Sequence, residues 1–210
     1  RDANTVRQAH TVELERSNSE LEQFAYVASH DLQEPLRMVA SFAQLLSRRY
    51  RDQLGEEGQE YIDYMVEGAK RMQELINDLL AYSRIGRHPA EFTDVDTGAA
   101  ADKALHALQG AIEEGGAEIA VETLPTVKGN ASQLMQLFQN LIGNAVKFRG
   151  EEPPRVRVSA AHEGSGWRFC VSDNGIGIDT RYAERIFLIF QRLHGQREFA
   201  GTGIGLALCK

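Results

Sequence analysis

Apolar residues in the first 87 positions keep helical rather than alternating spacing. Leu14, Leu21 and Ala28 recur every seven residues, and Ser17 and Phe24 fall three positions after the first two, an imperfect a/d seam. Phe42, Leu45 and Leu46, then Tyr61, Met65, Met72, Leu75 and Leu79, keep helical spacing on either side of the polar stretch 52–58. The pattern predicts two long helices, 3–51 and 56–86, joined by a short turn. At about 1.5 Å per residue the first would run about 70 Å. So thin a hairpin cannot cover apolar residues on both its sides. Two copies packed as a four-helix bundle would, so the pattern implies a homodimer.

The character of the chain changes at 86–92, where Gly86, His88 and Pro89 interrupt the periodic segment, giving expected domains at 1–87 and 88–210. Beyond that boundary helices are predicted at 96–114 and 131–149, the second burying Leu134, Leu137, Phe138, Leu141 and Ile142. A strand is predicted at 118–122, and antiparallel strands at 155–161 and 167–173 about a turn at 163–166. Short helices are expected at 182–190 and 207–210. The fold class is α+β: a helical hairpin followed by a mixed α/β domain.

Composition narrows the function. Of 210 residues, 23 are Lys or Arg and 30 are Asp or Glu, for a net charge of −7. That balance argues against a protein held to nucleic acid by bulk charge. Apolar residues at 42% and charged residues at 25% suit a packed core. No run approaches the ~20 apolar residues of a membrane helix, and no charged-then-apolar leader opens the sequence. Cys170 and Cys209 form neither a disulfide framework nor a zinc pattern. A cytoplasmic protein is the expectation.

Four segments can carry chemistry. The first is Ser29-His30-Asp31-Leu32-Gln33-Glu34-Pro35-Leu36, inside the first predicted helix. A lone helical histidine is ordinarily a solvated polar residue. Here Asp31 can orient the imidazole or take a proton from one ring nitrogen while the other attacks. Pro35 removes an N–H from the helix interior, which costs roughly 3 kcal/mol and bends helices. The second is Asn140-Leu141-Ile142-Gly143-Asn144-Ala145-Val146-Lys147, where Asn140, Asn144 and Lys147 share one helix face. A carboxamide oxygen suits Mg²⁺, and a lysine beside it suits phosphate.

The third, Asp173-Asn174-Gly175-Ile176-Gly177, follows a strand; its glycines permit a tight turn close to a flat ligand, and the carboxylate can accept from an exocyclic amine. Asp-Asn-Gly is also an ordinary turn. The fourth, Gly201-Thr202-Gly203-Ile204-Gly205-Leu206, can present N–H groups to phosphate, but lacks the Gly-Lys-Ser/Thr ending of a P-loop and does not follow a strand as in a dinucleotide fold. Between these two lie Phe187 and Phe190, three apart, then Arg192, ahead of a candidate mobile loop at 194–200.

In this order, His-Asp-x-x-x-Pro, Asn-x-x-x-Asn-Ala-x-Lys-Phe, Asp-x-Gly-x-Gly, Phe-x-x-Phe-x-Arg and Gly-x-Gly-x-Gly-Leu, the sequence resembles the sensor histidine kinases of two-component systems over residues 14–210. The stretch from Phe24 to Arg37 looks like the bacteriophytochrome-type members. The resemblance implies a dimeric phosphoacceptor bundle followed by an α/β-sandwich ATP-binding domain of the gyrase/MutL/histidine-kinase type. It implies that His30 takes the terminal phosphoryl of ATP, with Asp31 as acid/base partner, and passes it to an aspartate of a response regulator receiver domain. Asn144 would hold Mg²⁺, Asn140 would lie beside the triphosphate and Lys147 would contact it. Asp173 would read the adenine amino group against a wall shaped by Gly175 and Gly177. Phe187, Phe190 and Arg192 would border a lid, and Gly201, Gly203 and Gly205 would admit the phosphates. The segment 86–89 would be a hinge, and residues 1–18 would continue into an upstream sensor, for which the sequence around His30 suggests a photosensory one. The family's catalytic domain continues past the last glycine motif, so the resemblance implies C-terminal truncation at Lys210. Glu34 stands where many members carry the Thr or Asn that assists dephosphorylation of the regulator, so the resemblance does not extend to that activity. Two other readings stay open on the residues alone: a gyrase-like ATPase without histidine transfer, and a dimeric scaffold with a silent nucleotide site.

Overall fold

The computed structural model describes residues 2–84, 92–193, 199 and 201–210, with side chains from Val27 onward except those of His30 and Arg84. The chain divides into two units, Arg1–Arg87 and His88–Lys210. The expected hinge at 86–89, most of the loop at 194–200, and the side chains of Leu14, Ser17, Leu21 and Phe24 lie outside the described residues.

In the first unit, helical backbone (α1) runs from Asp2 to Arg84 and breaks at Tyr50 (φ −121°, ψ 20°) and Gly55 (φ 63°). The left-handed conformation of Gly55 would cost an L side chain about 1–2 kcal/mol, so a glycine marks the reversal. The two arms run antiparallel. Near the reversal Gln59 Nε2 donates to Ser47 Oγ at 2.7 Å, and farther along Gln33 Nε2 donates to Asn77 Oδ1 at 2.7 Å. Pro35 sits inside the first arm.

Each arm carries two heptad seams. Ser29, Gln33, Leu36, Ala40, Ala43 and Ser47 face Ile62, Val66, Ala69, Gln73, Ile76 and Leu80, and all of these are buried or half-buried. The first arm's side of this seam is therefore mostly small and polar, while the second arm contributes Ile62, Val66, Ile76 and Leu80. The larger side chains fall on the second seam: Leu32, Val39, Phe42 and Leu46, with Tyr61, Met65, Met72, Leu79 and Tyr82, are 41–58% exposed in the single chain. No helix among the described residues is long and apolar enough to cross a membrane.

The second unit is two-layered. Its elements are β1 (Thr93–Asp96), α2 (Thr97–Gly115), β2 (Glu118–Val121), β3 (Thr126–Gly129), α3 (Ala131–Lys147), β4 (Arg155–Glu163) and β5 (Gly166–Ser172). β1 pairs antiparallel with β3, while β2 lies parallel to β4, which is antiparallel to β5. The order β2-β4-β5 makes β4 the central strand of its sheet. α2 starts where Asp96 Oδ1 accepts from the amides of Gly98 and Ala99, and stops at Gly116 (φ 60°). α3 starts at Asn130, which accepts from Ser132 and Gln133. Gly164 (φ 59°) turns the two-residue loop between β4 and β5.

The core lies between the helices and this sheet. Ala100, Ala101 and Ala104 of α2 let it approach α3, whose Phe138, Ile142, Ala145 and Val146 pack on Val156 and Val158. Phe138 meets Phe169 of β5 edge-on, ring centroids 6.0 Å apart. β1 and β3 carry no alternating signal, since each offers a single apolar residue, Val95 or Val127, and the periodicity predicts neither. The helix expected at 182–190 is not formed. Two single 3-10 turns stand there, Thr180–Tyr182 and Arg185–Phe187, separated from the next residues by extended Leu188 (ψ 138°). Leu188, Ile189 and Phe190 are exposed, so the segment has no apolar face that a helix would bury. The segment 207–210 likewise closes in a 3-10 turn, Ala207–Cys209.

Phe138 is 1% exposed. Phe138→Ala is expected to destabilise this unit by about 3–5 kcal/mol, read as a lower urea midpoint with little change in slope.

Candidate functional site

The polar face of α3 organises the site because its other face is committed to the core. Asn140, Asn144 and Lys147 all lie on α3 and are half-buried. Their surroundings differ. Asn140 is occupied inside the protein: its Nδ2 donates to the Gly205 carbonyl at 3.0 Å, and its Oδ1 accepts from Gln136 Nε2 at 3.2 Å. Asn140 thus ties the glycine segment to α3. Asn144 makes no side-chain hydrogen bond among the described residues, leaving a half-buried carboxamide oxygen open to an external ligand. Lys147 Nζ sits 4.2 Å from the centroid of the Phe148 ring. A Cβ placed on Gly201 (φ 140°) would lie 2.8 Å from that same nitrogen.

The 173–177 turn is pinned to the end of α3. Ile176 N donates to the Phe148 carbonyl at 3.0 Å. Gly175 N donates to Asp173 Oδ1 at 2.8 Å. A Cβ on Gly175 would meet the Phe148 carbonyl oxygen at 2.3 Å and Asp173 Oδ1 at 2.9 Å, so only glycine fits. Asn174, in sequence simply part of a turn, clamps that turn to the start of β4. Its Oδ1 accepts from Arg155 N at 2.7 Å and its Nδ2 donates to the Pro153 carbonyl at 3.1 Å. Asp173 is exposed, and its Oδ2 has no partner among the described residues. Gly177 (φ 70°) has open space around it.

The glycine segment also meets the residues around Phe190. Phe190 has φ 62°, the one non-glycine residue with positive φ among the described residues. Such backbone is strained for an aromatic residue and survives where neighbours over-determine it. Gly203 lies against it: a Cβ there would come within 3.0 Å of the Gln191 carbonyl oxygen and 3.1 Å of the Phe190 carbonyl carbon. Arg192 donates to the Phe199 carbonyl at 2.5 Å, and the Phe148 and Phe199 rings lie 4.9 Å apart. Phe187 is half-buried and Phe190 exposed. Nearby, Arg181 hydrogen-bonds Asp179 and holds its carboxyl below the usual range. Burial pushes the Cys209 thiol up, against a weaker opposing effect of Asn140.

The second unit therefore brings together Asn140, Asn144, Lys147, Asp173, Gly175, Gly201, Gly203 and Gly205 around the C-terminal half of one helix. The sequence signal missed Gln136, Phe148 and Asn174 as supporting residues, because they act through backbone groups distant in sequence or a neighbouring side chain. His30 and Asp31 belong to the first unit, in the helical turn before Pro35; the His30 side chain lies outside the described residues.

Residues 20–88 match the His Kinase A (phospho-acceptor) domain, and residues 129–210 match the histidine kinase-, DNA gyrase B-, and HSP90-like ATPase. Cyanobacterial phytochrome A of Nostoc sp. is 54% identical over 198 residues, 94% of this chain and 26% of the relative. Phytochrome-like protein Cph1 of Synechocystis sp. is 50% identical over 197 residues, again 94% and 26%. The chain thus spans about a quarter of the length of these curated relatives, 26% in each case. Among solved structures, full-length ShkA in complex with AMPPNP is similar with a TM-score of 0.65 and 29% identity, over 89% of this chain and 39% of that one. The histidine kinase ThkA in complex with response regulator protein TrrA shares the fold, with a TM-score of 0.58 and 22% identity, over 89% of this chain and 56% of that one.

The glycines are expected to respond differently to alanine. Gly175→Ala should displace the turn from Phe148 and cost several-fold more stability than Gly177→Ala, whose cost is about 1–2 kcal/mol for positive φ alone. Urea midpoints of the two variants compare them directly.

Proposed function

This chain belongs to the sensor histidine kinases of two-component signalling, of phytochrome-like type, and we propose that it is their autophosphorylating core. The observation that carries the reading is the open carboxamide of Asn144, set on the helix face that also holds Lys147 and the Gly201–Gly205 backbone. In this reading 1–87 is the dimerisation and phosphoacceptor domain and 88–210 is the ATP-binding catalytic domain.

ATP would bind with its adenine amino group donating to Asp173 Oδ2, against the wall that Gly175 and Gly177 leave open. Lys147 and the amides of Gly201, Gly203 and Gly205 would hold the phosphates, with Phe187, Phe190 and Arg192 bordering them. Asn140 would keep the glycine segment on α3 beside the triphosphate, through its bonds to Gly205 and Gln136. The half-buried oxygen of Asn144 fits a hard divalent cation. When bound there, Mg²⁺ would neutralise phosphate charge.

One ring nitrogen of His30 attacks the terminal phosphorus of ATP. The P–N bond forms as the bond to the β,γ-bridging oxygen breaks, ADP leaves, and the proton on the other ring nitrogen passes to Asp31. Neutral imidazole is available near pH 7, since histidine titrates at about 6.5. Such transfers need positioning and charge neutralisation more than covalent work by the protein. Because His30 and the nucleotide residues belong to different units, the step requires the two to be brought together. The phosphoryl group then goes to an aspartate of a response regulator receiver domain, and an upstream sensor, photosensory in the phytochrome relatives' manner, controls the reaction.

The exposed second seam of the hairpin supports a homodimer. Covering a large apolar side chain contributes about 1.5–3 kcal/mol, and Phe42, Leu46, Met65, Met72 and Leu79 form one such stripe. Phe42→Glu is expected to raise the dimer dissociation constant by at least about tenfold, measured by analytical ultracentrifugation; an unchanged constant would exclude this seam.

The enzymatic reading is tested with γ-labelled ATP and Mg²⁺. The wild type should acquire acid-labile, base-stable label, and His30→Ala and Asn144→Ala should lose it. Phosphate release without labelling would instead indicate a gyrase-like ATPase, and neither outcome a scaffold.

A further inference from the structure

We propose that Gln33 and Asn77 are positioning residues for phosphoryl acceptance at His30, their hydrogen bond setting the rotation of the helical turn that carries the acceptor. The inference rests on the kinase reading above. Gln33 lies three residues after His30, one turn along the same arm, or about 4.5 Å of helical rise. Its Nε2 donates to Asn77 Oδ1 at 2.7 Å, joining the first arm to the second. Two residues later Pro35 removes one rung of the backbone ladder from this turn, so the helix is least stiff where the acceptor sits.

Side-chain packing supplies little compensation. The first arm's inner seam on either side of Gln33 is Ser29, Leu36, Ala40 and Ala43, and the facing arm presents Ala69, Gln73, Ile76 and Leu80. Ile76 and Leu80 therefore lie against mostly small side chains, which bury little area and interlock weakly, so the first arm can rotate about its axis. A short side-chain hydrogen bond is directional and resists that rotation. The pair is exposed to solvent, so its net contribution to stability is small. Its effect should therefore appear in the rate at which His30 meets phosphorus rather than in folding. An internal control exists: Ser47 and Gln59 form an inter-arm hydrogen bond of similar length, 2.7 Å, near the reversal and far along the arm from His30.

The test compares the wild type with Gln33→Ala, Asn77→Ala, the double variant, Ser47→Ala and the exchanged pair Gln33→Asn/Asn77→Gln. Three quantities are read: the rate of acid-labile labelling of His30 at saturating Mg²⁺-ATP, the ATP concentration giving half the maximal rate, and the urea midpoint. Either single alanine should slow labelling about tenfold, a size typical of a modest misplacement of reacting groups. The double variant should be no slower than the singles, as expected for two residues acting through one contact. Half-saturating ATP and the urea midpoint should hold, Ser47→Ala should label at the wild-type rate, and the exchanged pair should recover most of the loss. Wild-type rates in both singles, an equal loss in Ser47→Ala, multiplied losses in the double variant, or an exchanged pair as slow as the singles would each overturn the proposal while leaving the kinase reading intact. A wild type that takes up no label would overturn the kinase reading, and this inference with it.

Discussion

Among the described residues, the approach of Gly175 to the end of helix α3 is the tightest that any glycine Cβ would meet, and it constrains the second unit. The Phe148 carbonyl accepts the Ile176 amide at 3.0 Å, and a Cβ on Gly175 would reach that oxygen at 2.3 Å. The turn can come so close only because residue 175 has no side chain. With the turn fixed there, Asp173 stands at a set distance from the polar face of α3. The glycine segment reaches the same face from its far side through Gly205 and Asn140. Core packing makes this frame rigid: Phe138, Ile142, Ala145 and Val146 cannot leave the sheet without opening a cavity, so Asn144 and Lys147 cannot rotate away.

The phosphoacceptor hairpin follows a different logic. The first arm's inner seam is mostly small and polar, and a second stripe of large apolar residues points away from the partner arm. A lone hairpin would expose most of what drives helix association. In the proposed homodimer, contacts with a second copy would supply the missing burial. A first arm with a mostly small inner seam, Pro35 within it and a few polar links to the second arm suits the proposed role of presenting His30 in a defined orientation.

Much of this was legible in the residues. Heptad spacing and the polar stretch at 52–58 signalled two helices joined by a turn, because helical periodicity needs only local information. The Asn140, Asn144 and Lys147 face was readable for the same reason. The strands β1 and β3 were not, since one apolar residue in each gives no alternation, and their pairing depends on long-range partners. Nor was the loss of the helix at 182–190, where exposed Leu188, Ile189 and Phe190 mimic a buried periodic run.

Residue types and spacing alone determined which groups this protein has for chemistry: an imidazole beside a carboxylate before a proline, two carboxamides and a lysine on one helix face, and glycines where backbone must come close. Only the tertiary structure decided how each is placed and which partners it has. Asn140 and Asn144 look equivalent along the helix, yet one is bonded at both ends within the protein and the other has an oxygen to offer. The difference arises because Gly205, sixty-five positions away in sequence, places its carbonyl beside Asn140, and helical periodicity carries no information about which distant backbone atom will be there.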